Sequence, residues 1–287
     1  MIREGGTVSK MIRPVLLFFL ALTAFPVTSN AGLSFRFYGG GAYLRGGDIN
    51  DGMKGWTDYW KANYQLQGYP TQSGSFNPVN YGYTFGGDII IHLTARLGIG
   101  LGAEFLQASK SSTLTFQSPS TTINWTIVGK PSAVPVKASL FYVLPLGSRA
   151  AISLHAGAGY YSAKACMESH LKTSSETSYL IDSSAKGVGY HAGLGLELKL
   201  FPKVFFLIEG AGRYVVLSGF EGNVTMLPEG GWKGKLYYWG ASTSYLSRFN
   251  YIDLLAGAPN STGYIFFREA KIDYSGFSLR AGFVIKL

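Results

Sequence analysis

From residue 277 to the end, apolar and non-apolar positions alternate. Phe277, Leu279, Ala281, Phe283, Ile285 and Leu287 occupy the odd positions, and Ser278, Arg280, Gly282, Val284 and Lys286 lie between them. A strand sends successive side chains to opposite faces, so this segment predicts a strand with one greasy face and one small or charged face. Val188 to Leu200 repeats the pattern: Val188, Tyr190, Ala192, Leu194, Leu196, Leu198 and Leu200 stand against Gly189, His191, Gly193, Gly195, Glu197 and Lys199. Tyr81, Tyr83, Phe85, Ile89, Ile91 and Leu93 likewise oppose Gly82, Thr84, Gly86, Asp88 and His92, with Ile90 out of phase. Weaker versions over 33–44, 97–108, 134–144, 150–163 and 204–217 bring the predicted strands to about eight.

The separators alternate in length. Short ones fall near Thr94–Arg96, Pro145–Arg149 and Phe201–Lys203, and long ones over 45–80, 109–133, 164–186 and 218–270. Short turns on one side, long loops on the other and an even strand number describe a closed antiparallel transmembrane β-barrel. A soluble sandwich or barrel would point its greasy face inward and show Lys, Glu and Thr to water. Here the other face is largely Gly, Ala and Ser with scattered charges, which suits a narrow lumen. Lipid tolerates no unpaired backbone edge, which is the physical reason for the sheet to close.

On these segments the chain resembles the small outer-membrane β-barrels: the OmpA transmembrane domain and the OmpW-like and opacity-type proteins. The likeness spans residues 32–287, and its most specific element is the last strand, Phe277 to Leu287, which looks like the segment read by the barrel-insertion machinery. Family members usually end in Phe or Tyr, whereas this chain ends in Leu287. The resemblance implies a bacterial outer-membrane location with periplasmic turns and extracellular loops. It does not select a role, because adhesins, channels, enzymes and anchors share the scaffold.

Residues 1–31 carry Arg3, Lys10 and Arg13 ahead of an apolar run from Val15 to Ala24 and end in Ser29-Asn30-Ala31, the pattern of a signal peptide cleaved after Ala31. The run is too short for a spanning helix, which needs ~20 apolar residues. The formal net charge of +9 drops by two without that segment. The remaining Lys and Arg are scattered rather than interleaved with stacking aromatics, so nucleic acid is not expected, and outer-membrane lipid and lipopolysaccharide are the expected partners. One cysteine, Cys166, excludes an internal disulfide.

The alternation assigns Arg36, Asp88, Glu104, Lys137, His155, His191, Glu197, Glu209, Arg213 and Arg280 to the lumen. Counting from the short turns puts Glu104 level with Lys137, and Glu209 level with Arg280. An eight-stranded barrel has just enough interior for side chains to fill, so paired charges there predict a closed plug. No catalytic, metal or cofactor site is expected. His92, His155 and His191 are dispersed, the Asp48–Gly52 stretch lacks the spacing and closing Glu of a calcium loop, and Gly98, Gly100 and Gly102 sit mid-strand rather than before a helix. Ser153 and His155 share a face, yet i,i+2 neighbours stand too far apart to bond.

The long loops hold the remaining candidates. Trp56, Tyr59, Trp60, Tyr64 and Tyr69 fall in the first, and Trp232, Tyr237, Tyr238, Trp239, Tyr245, Phe249, Tyr251, Phe266 and Phe267 in the last. They predict either a headgroup girdle or hairpins packed above the membrane into a mouth for an extracellular ligand, with a short helix near Ser242–Gly257. The sequence therefore points to a monomeric structural or surface-interaction barrel rather than an enzyme. A conduit for small hydrophobic or amphipathic molecules is the alternative.

Overall fold

The computed structural model describes residues 32–117, 121–173, 176–228, 230–243, 248–258 and 264–287. The expected signal peptide and Tyr245 lie outside them. Fifteen strands and one helix are present among the described residues. Eight strands form the ring: β1 (Gly32–Gly47), β3 (Tyr81–His92), β4 (Leu97–Ala108), β6 (Thr122–Pro145), β7 (Ala150–Lys172), β8 (Glu176–Phe201), β9 (Val204–Tyr214) and β15 (Ile272–Lys286). Each pairs antiparallel with the next, and β15 pairs with both β9 and β1, which closes the sheet. Its seam runs from Ser34 opposite Lys286 to Tyr43 opposite Phe277.

The ring strands run past the predicted ends, and this corrects three of the four long loops. Residues 164–186 are mostly the upper halves of β7 and β8, paired in register out to Lys172 and Glu176. Residues 109–133 hold β5 (Lys110–Gln117) and the first half of β6, a hairpin extended by β2 (Thr71–Gly74). Residues 218–270 hold β11 (Glu221–Leu227), β12 (Gly230–Ala241), β13 (Phe249–Leu255) and β14 (Phe266–Glu269). These build outward from β8 in the order β11, β12, β13, while β14 also pairs with β12. A short strand, β10 (Val216–Leu217), pairs with β15. The helix expected near Ser242–Gly257 is not there, since β13 occupies most of its described part. The helix is instead α1 (Asp48–Leu66), in the first loop. No helix among the described residues is long and apolar enough to cross a membrane.

Two polarity switches fall at one height. Outward positions of β6, β7 and β8 are apolar or small over Val134–Leu144, Ile152–Tyr160 and Val188–Leu200. Immediately above they become Ser132 and Lys130, Ser162 and Lys164, and Lys186 and Ser184. The inward positions change the other way. Lys137, His155 and His191 lie below, and Ala133, Ala163 and Ala185 begin an apolar core above. Eleven strand residues at ~3.3 Å each, tilted by ~45°, span roughly 25 Å, the height of a barrel's lipid-facing band. The lower molecule is thus greasy outside and polar inside, and the upper molecule is the reverse.

Around the rest of the ring the lower exterior is equally apolar, with Phe37, Ile89, Leu101, Ile208, Leu279 and Phe283 all exposed. Ile90, out of phase in the sequence, is buried toward the lumen. Tyr81, Tyr160, Tyr190 and Tyr214 stand exposed at the top of this apolar band. The short turns all lie at the opposite end, beside both ends of the ring, where the Leu287 N–H bonds the Leu33 carbonyl at 2.9 Å.

Candidate functional site

Within the lower barrel, one chain of charges crosses the lumen. Arg36 on β1 donates to Glu209 on β9, and Arg280 on β15 donates to the same carboxylate. Arg280 also reaches Glu104 on β4 at 2.8 Å, and Lys137 on β6 reaches Glu104 at 2.8 Å and Asp88 on β3 at 3.8 Å. Three cations and three carboxylates alternate across six strands. Arg36, Glu209 and Arg280 are each no more than 3% exposed, so the lumen is filled at this level.

Two aromatic residues and a threonine, which alternation alone did not single out, complete the arrangement. The Tyr38 ring lies under the Arg280 guanidinium at 4.1 Å, and its hydroxyl accepts a 2.6 Å bond from Lys137. Thr84 donates to Glu104 at 2.6 Å. Phe141 sits under Arg36 at 5.2 Å and stacks on His155 at 5.4 Å. Tyr38 and Thr84 share the inward phase of Arg36 and Asp88, so period two could have found them. Phe141 has the phase of Lys137 but reads as a lipid-facing aromatic.

Arg213, also a lumen candidate, joins no carboxylate among the described residues. Its guanidinium donates to the backbone carbonyls of Tyr274 at 2.9 Å and Tyr43 at 2.8 Å, bridging β9, β15 and β1 above the charge chain. Tyr274 is fully buried and crosses to the Lys164 carbonyl of β7 at 2.7 Å. Below the charge chain, Glu197 pairs with Lys286 at 2.8 Å, and Ser34 bonds His92 at 2.8 Å.

The serine and histidine positions do not assemble a nucleophile relay. Ser139 bonds His191 Nε2 at 2.8 Å, but His191 Nδ1 has no partner. His155 Nε2 faces Glu209 at 3.3 Å, while Ser153 Oγ is unbonded. A relay needs serine, histidine and acid in series, and here the elements are split between two histidines.

No protein-family model and no curated protein matches the chain. Among solved structures it is similar to the outer membrane protein OprG from Pseudomonas aeruginosa, at 11% identity and a TM-score of 0.40 over 91% of this chain and 99% of that one. It is also similar to the outer membrane protease OmpT from Escherichia coli, at 9% identity and a TM-score of 0.28 over 92% and 99% of the respective chains. At these scores neither likeness bears on what lumen or loops do.

Above the lumen, the loop aromatics pack on one another into a cap, on strands that rise past the tyrosine band. Helix α1 buries Ile49, Met53, Trp56 and Tyr64. It lies close against β13 because Gly52 and Gly55 face Ile252 and the Asn250 carbonyl, where a side chain would collide. Its first turn is tethered by Asp48, which accepts from Arg268 at 2.5 and 2.7 Å and from the Lys271 N–H at 2.6 Å. Trp56 stacks on Tyr251 at 4.9 Å, Trp60 on Tyr64 at 5.6 Å, Trp232 packs near Tyr179 at 6.0 Å and Trp239 near Tyr251 at 5.3 Å. The Trp56 and Trp232 indoles bond the Ile252 and Leu254 carbonyls at 3.0 and 2.8 Å, covering the free edge of β13. Beside them Asp253 accepts from the Tyr179 hydroxyl and the Leu254 N–H. Burial raises its carboxyl to about 6 despite those two bonds.

Proposed function

We propose that this chain is a bacterial outer-membrane barrel that acts as a structural or surface-interaction protein, displaying an aromatic cap over a sealed lumen, and is neither an enzyme nor an open channel. The carrying observation is the continuous chain Arg36–Glu209–Arg280–Glu104–Lys137–Asp88, buried across the full width of the ring. Charges so buried are tolerable only in mutual pairing, and the pairing leaves no continuous apolar path for a solute. The apolar core directly above, with Tyr161, Tyr274 and Trp125 fully buried, supports a second closure. The role then belongs to the cap, whose packed aromatic core holds the outward end of the molecule in a fixed shape.

The test is planar-bilayer conductance of the refolded protein beside a Glu104→Ala/Glu209→Ala variant. The expected result is a silent wild type and a variant with intermittent openings. Steady conductance by the wild type would overturn the sealed lumen and make transport the leading role.

A further inference from the structure

In the cap, an open cleft of about 250 Å³ lies between the first half of α1 and the start of β13. Gly55 and Asn250 line its bottom, where a Cβ on Gly55 would run into the Asn250 carbonyl, so no side chain fills it from the helix. Phe249 lines it too, with its ring packed on Tyr59 at 5.2 Å. Asp51, Asp58, Lys54 and Arg248 surround it, and their charges cancel. Lys54 is taken by Asp58 at 2.5 Å, and the nearby Arg268 is taken by Asp48. Asp51 and Arg248 are thereby left without an ion pair among the described residues, and Arg248 stands over the Phe266 ring at 5.8 Å. Partial burial, and then the Asp48 carboxylate, raise the Asp51 carboxyl above its ordinary value, so a hydrogen-bond donor reaching it relieves a real cost. The Asn250 amide oxygen likewise has no hydrogen-bond partner among the described residues, so no bond of that oxygen resists turning it toward the cleft.

An anion entering this cleft meets two carboxylates, and a cation meets an ammonium and a guanidinium, so neither gains much from it. A neutral ligand dense in hydroxyl groups meets no like charge, and it both donates to Asp51 and accepts from Arg248. We propose that the cleft binds one neutral pyranose unit of a glycan, with Asp51 and Arg248 holding neighbouring hydroxyls and Phe249 against a C–H face of the ring. The volume suits a single ring, being below the roughly 300–1,000 Å³ of pockets for drug-sized ligands. The site is also preformed, since Asp48 tethers the first turn of α1 and Gly55 seats its middle on β13. This inference deepens the surface-interaction reading and rests on it: the cap acts by holding a sugar.

The test titrates the mature protein, folded in neutral detergent micelles, with the methyl pyranosides of glucose, galactose, mannose and N-acetylglucosamine, read by saturation-transfer NMR. Glucuronate, glucosamine and phosphocholine serve as anionic, cationic and zwitterionic probes. At least one neutral pyranoside should bind, and more tightly than any of the three charged probes. Asp51→Asn and Arg248→Gln variants with the gel mobility of a folded barrel should each lose about tenfold in affinity for it, the worth of one charge-assisted hydrogen bond, whereas Lys233→Gln on β12 should lose none. Binding of no pyranoside, tighter binding of a charged or zwitterionic probe, or unchanged affinity in both cleft variants would each overturn the site. The same preparation goes into planar bilayers: a silent barrel that binds no pyranoside overturns the cleft alone, and a conducting barrel that still binds one overturns the sealed lumen and supports the cleft.

Discussion

Replacing Glu209 with Gln keeps the shape of the lumen and removes one charge. Among the described residues Glu209 is the only carboxylate paired with Arg36, whereas Arg280 keeps Glu104 at 2.8 Å. Stranding one member of a buried ion pair costs about 3–5 kcal/mol, and a Gln carbonyl still accepting one bond returns about 1 kcal/mol. The expected loss is therefore about 2–4 kcal/mol. The companion Arg36→Met/Glu209→Met variant removes both charges and should cost less than the single substitution, since no unpaired guanidinium is then left over the Phe141 ring. Urea unfolding in vesicles measures this, with electrophoretic mobility of the folded barrel as the lumen probe. Tryptophan fluorescence is a separate probe, because Trp56, Trp60, Trp125, Trp232 and Trp239 all lie in the cap and upper core. A Glu209→Gln midpoint within about 0.5 kcal/mol of wild type would refute the reasoning, as would a double variant less stable than the single one. Either would mean that water screens these charges.

Three further outcomes concern the cap. Gly55→Ala drives a methyl group into the Asn250 carbonyl and should cost roughly 1–3 kcal/mol, seen as faster proteolysis within α1 while the barrel keeps its folded mobility. Asp253, raised to about 6, binds its proton more tightly in the folded cap than in the unfolded chain, so cap stability should fall as pH rises from 4 through 6, by about 1–2 kcal/mol. Asp253→Asn should flatten that slope in thermal melts followed by fluorescence, and an unchanged slope would assign it elsewhere. Trp56→Phe keeps the ring stack but frees the Ile252 carbonyl, and should speed amide exchange in β13 at a cost of about 1–2 kcal/mol.

Below the tyrosine band, the fold is legible in the sequence because lipid outside and a narrow lumen inside demand opposite residue types on alternate positions. Val188–Leu200 and Phe277–Leu287 carry that demand almost without exception. It also places Arg36, Glu104, Lys137, Glu209 and Arg280 on inward positions. Which carboxylate meets which cation depends on shear around the ring, so the bridging of Arg280 between Glu104 and Glu209 emerges only in three dimensions. Above the band β7 keeps its phase, but its faces are Ser162, Lys164 and Cys166 against Ala163, Ala165 and Met167. One polar face and one face made mostly of alanine carry too little contrast to announce a strand. Helix α1 is hidden for a different reason: it contains Gly52 and Gly55, follows Gly47 with no side-chain cap, and owes its stability to burial of Ile49, Met53 and Trp56. The expected helix near Ser242–Gly257 fails because Phe249–Leu255 finds a strand partner in β12 that no local pattern announces.

In the proposed membrane setting, the coincidence of the two polarity switches sets a waterline. Raising the molecule by a single row, about 5 Å along the membrane normal, would lift Tyr160, Val188 and Val136 into water, and lowering it would drag Lys186 and then Lys164 into hydrocarbon. Opposed penalties of that kind act as a two-sided spring, so the barrel neither bobs nor leans freely on the β6–β8 side. A partner approaching from outside would meet the cap at a constant standoff from the bilayer, set by strand length and not by a linker.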